Sequence, residues 1–215
     1  MKENNNFIIT RDSLEKNKFI SENMEGSTFH LHTHILYDIR THLGEGLKNY
    51  LEIGSYAGGS MSLVSSHIYP TKCITVDLGS PINKTVVESN VLKFKNPNSE
   101  FKYIQGNSQD VNTINQVKNE CDEFDFLFID GNHSTLGVLL DFQNYSPLVK
   151  KGGYICFDDY LDYEFSPEVK GSVDSIVEKL DKSEYNIIGS LSYEHLNEFT
   201  QLKSNNIFVI QKLNN

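Results

Sequence analysis

LEIGSYAGGS, residues 51–60, decides how this chain is read. It begins as an apolar strand, breaks at Gly54 and Gly58, and runs into a helical pattern from Gly59. A glycine-rich turn from strand to helix lets the backbone approach a ligand closely, and the helix start favours an anionic group. The spacing is E-x-G-x-x-x-G-x-S, with Glu52 just ahead of Gly54. It is neither the G-x-G-x-x-G of dinucleotide-binding enzymes nor a phosphate-binding loop, which would need a Lys. Taken alone, the turn is as compatible with a plain tight bend as with a ligand site.

Outward from it, short apolar runs alternate with amphipathic stretches. Strands are expected at Tyr50–Ile53, Cys73–Asp77, Tyr103–Gln105, Phe124–Ile129, Tyr154–Phe157, Tyr185–Gly189 and Ile207–Gln211. Helices are expected at Gly59–His67, Lys84–Lys93, Val111–Cys121, Thr135–Tyr145 and Pro167–Leu180, the last with Pro167 in its first turn. This alternation predicts an α/β fold: a seven-stranded, mostly parallel sheet with helices on both faces. No helix separates the last two strands, so one of them is expected to run antiparallel. Residues 1–48 are expected to form a helical cap or lid, and 49–215 the main domain. Within the cap, THILYDIRTHLGEGL spaces Ile35, Ile39 and Leu43 helically.

Composition narrows the function. The chain has 215 residues, 38% of them hydrophobic, and a formal net charge of −10. The acidity argues against a nucleic-acid or anionic-membrane partner. No apolar run is long enough to span a bilayer, and the N-terminus lacks a signal-peptide core; a cytoplasmic protein is expected. Self-association stays open. Cys73, Cys121 and Cys156 are too few and too widely spaced for a disulfide framework or a zinc motif.

Ligands of open parallel sheets sit beyond the carboxyl ends of the strands. Asp77 ends the second strand, about twenty residues past the glycine-rich turn, where an acid can take ribose hydroxyls. GNSQD, 106–110, follows the third strand; its Ser108 and Gln109 suit an adenine, and Asp110 suits a helix cap. FIDGNHS, 128–134, ends the fourth strand in Asp130 and His133, and FDDY, 157–160, ends the fifth in Asp158 and Asp159. Carboxylates converging at one sheet edge repel unless a cation bridges them. An all-oxygen set prefers Mg²⁺, Mn²⁺ or Ca²⁺ to zinc. Each acid alone reads as a loop cap; together they read as a site. HLHTH, 30–34, has metal-like alternation, but it precedes the first strand and is read as structural. Aromatics at 160–165 and Tyr193, His195 and Phe199 in the loop 192–205 are either acceptor contacts or loop packing.

LEIGSYAGGS, Asp77, GNSQD, FIDGNHS and FDDY together resemble class I S-adenosylmethionine-dependent methyltransferases, over about residues 48–212. Within that class they resemble the metal-dependent O-methyltransferases. These include the catechol branch and the macrocin and mycinamicin sugar branch with its cephalosporin-hydroxylase relatives. FIDGNHS…DF…YSPLVKKGGYICFDDY is closer to the sugar branch. The resemblance implies a Rossmann-like fold that binds S-adenosyl-L-methionine. It gives Glu52, Gly54, Ser55, Tyr56, Gly58 and Ser60 the methionine end, Asp77 the ribose, and Ser108 and Gln109 the adenine, with Asp130 beside the donor. It gives Asp130, Asp158 and Asp159 to Mg²⁺ or Mn²⁺. The catechol branch carries a Lys where this chain has His133, and commonly an Asn where it has Asp159. His133 is read as the base that takes a proton from an acceptor hydroxyl near neutral pH, acting with Asp130. The expected reaction is O-methylation of a small molecule, in particular a sugar unit of a glycan precursor or natural product. The rival readings are an NAD-dependent oxidoreductase and a non-catalytic donor-binding or hydroxylase-type partner protein.

Overall fold

The computed structural model describes residues 11–26, 33–191 and 207–213. Two helices come first, α1 (Arg11–Glu22) and α2 (His34–Leu43). The rest alternates: β1 (Asn49–Ile53), α3 (Gly59–Ser65), β2 (Lys72–Asp77), α4 (Lys84–Phe94), β3 (Glu100–Gln105), α5 (Val111–Glu120), β4 (Phe124–Ile129), α6 (Thr135–Tyr145), β5 (Val149–Phe157), α7 (Val169–Lys179), β6 (Tyr185–Leu191) and β7 (Ile207–Lys212).

The seven strands form one sheet in the order β3-β2-β1-β4-β5-β7-β6. β1 to β5 pair in parallel, and β7 runs antiparallel to both β5 and β6. Successive residues of each strand point to opposite faces, and both faces are apolar because helices cover both. Tyr50, Cys73, Tyr103, Phe126, Phe128, Tyr154 and Cys156 pack on one face with Met61, Val64, Val87, Val91 and the α2 residues Ile35, Leu36 and Ile39. Leu51, Ile53, Ile74, Val76, Leu127, Ile129, Ile155 and Phe157 pack on the other with Val117, Val138, Tyr145, Val173 and Ile176. Cys73 and Cys156 are thus buried small hydrophobes, and all three cysteines are free thiols.

Some element bounds shift. Helix α7 starts at Val169, so Pro167 lies in the turn ahead of it rather than in its first turn. Strands β3 and β5 begin earlier than expected, at Glu100 and Val149, where Glu100 pairs with Lys72 of β2 and Val149 with Phe124 of β4. Of HLHTH, His30 and His32 lie outside the described residues, and His34 opens α2.

Strand register aligns the site. Ile53 pairs with Val76 and Ile129, and Ile129 pairs with Phe157. The next residues, Gly54, Asp130 and Asp158, therefore stand side by side. The ladder extends by one bond at each: Gly54 N–H donates to Val76 O (2.8 Å), Asp130 N–H to Ile53 O (2.8 Å) and Asp158 N–H to Ile129 O (3.0 Å). Strand order reverses between β1 and β4, where such folds open a crevice for ligands.

Candidate active site

A cavity of about 720 Å³ occupies that crevice. Its floor is the turn 53–60, one wall is Asp77, Leu78 and residues 106–109, and the other is Asp130–His133 with Asp158 and Asp159. Asn17, Ser21 and Thr33, from α1 and the approach to α2, close its edge. Asn17 donates to Thr33 Oγ1 at 2.5 Å, tying these two parts of the cap together. Asn90 of α4 ties the cap to the floor: its side-chain amide donates to Glu25 O and Ala57 O and accepts from Glu25 N–H.

The turn is shaped by close approach. Gly54 has φ +84°, and a Cβ there would lie 2.0 Å from Asp130 O. Only glycine lets the ends of β1 and β4 meet this closely. Asp77 then staples the turn. One carboxylate oxygen accepts from Ser55 N–H (2.8 Å) and Tyr56 N–H (3.2 Å); the other accepts from Gly79 N–H (2.7 Å) and Tyr103 OH (3.2 Å). Tyr56 sits at φ 45°, a left-handed conformation costly for a residue with a side chain, and one tolerated where a site fixes it.

Two residues assigned to the methionine end lie elsewhere. Glu52 is fully buried beneath the floor and does not line the cavity. It accepts from Tyr50 OH (2.6 Å) and from Ser60 Oγ (2.7 Å), and burial raises its carboxyl from the usual range to about 8. Ser60 does line the cavity, so Glu52 acts on the site through Ser60. Gly58 faces the other way: a Cβ on it would meet Val91 and Val87 of α4 at 3.0 and 3.2 Å, so it serves helix packing. Gly54, Ser55, Tyr56, Ser60, Asp77, Ser108, Gln109 and Asp130 all line the cavity. Asp110 takes the capping role, accepting from Asn112 N–H at the start of α5.

Asp141, the acid of the DF pair in the quoted stretch, takes no role of its own from the resemblance, yet it positions the 106–109 wall. From inside α6 it accepts from Ser108 Oγ (2.7 Å), and Tyr145 OH donates to Ser108 O (2.7 Å). Burial raises the Asp141 carboxyl to about 6.

At the β4–β5 end, Asp130, His133 and Asp159 each offer one ligating atom, all within 4.8 Å of one another. His133 Nε2 is 3.3 Å from Asp130 Oδ1, and Nδ1 is 3.5 Å from Asp159 Oδ2. Burial and the neighbouring Asp158 and Asp159 charges hold Asp130 well above the usual carboxylate range. Such an acid cluster gains from a bound cation. Asp159 has φ 56°, which turns its side chain back toward His133. Asp158 also lines the cavity, but it is not one of the three converging groups; its Oδ1 accepts from Asp159 N–H (2.8 Å). Asp130, His133 and Asp159 are the three that converge, while the Asp158 side chain hydrogen-bonds to Asp130 and so stays beside them. Two adjacent residues on one strand end project in different directions, which spacing alone does not resolve. Tyr163 and Phe165 are 65% and 79% exposed on the following loop, whereas Tyr160 is buried against Phe208. Tyr193, His195 and Phe199 lie outside the described residues.

The sheet order, the glycine turn and the acids at the strand ends define a class I methyltransferase fold. A family model described as a methyltransferase domain matches residues 51–160. The uncharacterized protein R132 of Acanthamoeba polyphaga mimivirus is 37% identical over 172 residues, 80% of this chain and 78% of its own. The chain belongs to this methyltransferase family, which removes the oxidoreductase reading. Among solved structures, an O-methyltransferase from Bacillus cereus in complex with SAH aligns over 95% of this chain and 92% of its own, with TM-score 0.67 and 17% identity. The MycE methyltransferase from the mycinamycin biosynthetic pathway, in complex with Mg and SAH, aligns over 95% of this chain and 55% of its own, with TM-score 0.64 and 18% identity. At these identities the likeness is one of fold. Among the described residues, no helix is long and apolar enough to cross a membrane.

Proposed function

We propose that the protein transfers the methyl group of S-adenosylmethionine to a hydroxyl oxygen of a neutral, ring-shaped small molecule, with the help of a divalent cation. The observation that carries this reading is the convergence of Asp130, His133 and Asp159 beside the cavity. Methyl transfer from a sulfonium is a direct displacement, so the protein must supply proximity, in-line geometry and a deprotonated acceptor. The donor fits the 53–60, Asp77 and 106–109 half of the cavity, which leaves the Asp130–Asp159 half for the acceptor. Asp130 and Asp159 would hold Mg²⁺ or Mn²⁺, a hard ion suited to carboxylates. When bound, that ion lowers the pKa of a hydroxyl and orients it. His133 Nε2 faces the same space and takes the hydroxyl proton. The 4.8 Å grouping also favours a second reading in which His133 is the third ligand.

Among the described residues, no Lys or Arg lines the cavity, which suits an uncharged acceptor better than a phosphorylated one. Tyr163 and Phe165, exposed on the loop that follows Asp159, offer faces for a sugar or aromatic ring. The described part of the cap acts as the lid, since Asn17, Ser21 and Thr33 border the opening. Retention of both the acids and His133 argues for chemistry rather than a non-catalytic partner role.

A methyl-labelled donor offered with sugar, catechol and nucleotide-sugar acceptors, with and without Mg²⁺, tests the reading. Product on a neutral sugar or catechol, lost in EDTA and restored by Mg²⁺ or Mn²⁺, is expected. Full turnover in chelator would remove the cation from the mechanism. S-adenosylhomocysteine at a hundred times its Kd should stabilise the fold by about 2.7 kcal/mol, and no shift in melting temperature would remove the donor.

A further inference from the structure

Ser166 lies in the turn before α7, 2% exposed, and bridges two groups of the acid cluster. Its Oγ is 2.7 Å from Asp159 Oδ2 and 2.8 Å from His133 Nδ1. A hydroxyl has one proton to give. A carboxylate can only accept, so the Ser166 proton goes to Asp159. The Ser166 oxygen must then accept at His133, which requires the proton of the imidazole to sit on Nδ1. We infer that Ser166 is a positioning residue that locks His133 as its Nδ1–H tautomer; the Nε2 lone pair then faces the acceptor space and Asp130 Oδ1 at 3.3 Å, an oxygen that must carry a proton or a cation to meet it. The inference rests on the proposed role of His133, and it holds whether Nε2 accepts a proton or ligates a cation, because both need that nitrogen bare.

The chain around Ser166 is built to hold it there. Asp162 Oδ1 accepts from Glu164 N–H and Phe165 N–H (3.1 Å each), and Ser166 N–H donates to Asp162 O (3.1 Å). These bonds curl residues 159–166 so that Ser166 returns to Asp159. Two residues on, Glu168 Oε2 accepts from Thr135 N–H (2.8 Å) and Thr135 Oγ1 (2.7 Å). The segment 166–168 therefore clamps the loop 130–135 at His133 and again at Thr135.

Ser166→Ala, a small change at a buried site, tests this in the full chain. Nitrogen NMR of the ¹⁵N-histidine-labelled protein reads the tautomer directly, independent of any acceptor or metal. His133 should show a protonated Nδ1 in the parent and a mixture of tautomers in Ser166→Ala, with Ser166→Thr restoring the parent signature. With an acceptor in hand, Ser166→Ala should lower kcat about 10–100-fold, the range for groups that orient a site residue, with KM for the methyl donor unchanged. An unchanged tautomer in Ser166→Ala would overturn the inference while leaving the proposed reaction standing. A tautomer shift in a protein that methylates nothing would instead leave the inference standing and sink the reaction.

Discussion

At the β1–β3 end of the cavity, backbone does most of the work: Asp77 gathers three N–H groups, and Gly54 lets two strand ends meet. At the β4–β5 end, side chains do it: Asp130, His133, Asp159 and Ser166 hold one another across two loops. Backbone cradles are costly to alter and tolerate little variation in shape. Side-chain relays are easily retuned without disturbing the fold. A constant methyl donor suits the first kind of construction, and an acceptor that differs among relatives suits the second.

The largest expected effect comes from breaking the side-chain half. His133→Ala should lower kcat about 10²–10⁴-fold, the usual loss for a general base, with S-adenosylhomocysteine affinity and melting temperature almost unchanged. Mn²⁺ titration of the same variant separates the two roles of His133: unchanged affinity marks a base, and weakened affinity a ligand. Normal kcat from pH 6 to 9 would reduce His133 to packing.

Breaking the backbone half should give the opposite signature. Gly54→Ala places a methyl group 2.0 Å from Asp130 O at a φ of +84°. A loss of about 3 kcal/mol or more is expected, roughly 6–12 °C in melting temperature for a chain of this size. Donor affinity should fall with it. A variant that melts normally and binds S-adenosylhomocysteine would show that the turn can relax, and the contrast between the halves would fail.

The smallest effect is a slope. The buried Glu52 carboxyl, raised to about 8 from a usual 4.5, keeps its proton in the native state after the unfolded chain has released it. The stability it contributes is complete below about pH 4.5 and is lost as pH rises through about 8. Unfolding free energy measured by urea from pH 5.5 to 9 should therefore decline, and Glu52→Gln should flatten part of that decline. Asp38 and Asp141, raised by burial to about 7 and about 6, and the buried Asp130 add to the same decline. An identical slope in Glu52→Gln would mean that Tyr50 and Ser60 hold an ionised Glu52.

Much of this was legible in the chain itself. The seven strands, their alternation with helices and the glycine turn follow from periodicity, because a two-residue repeat and a helical repeat bury different residues. The acids at the strand ends were legible too, since parallel strands all point their carboxyl ends at one edge. Direction and depth were not. That Glu52 lies under the floor and Gly58 faces α4 depends on which side of a turn each Cα presents. That Asp159, and not Asp158, meets His133 depends on a single left-handed backbone angle. Ser166 and Asp141 reach the site from distant segments through hydrogen bonds spanning 33 residues. Nothing in a lone serine or a helical aspartate marks such a role, because its chemistry comes from the partners that folding brings to it.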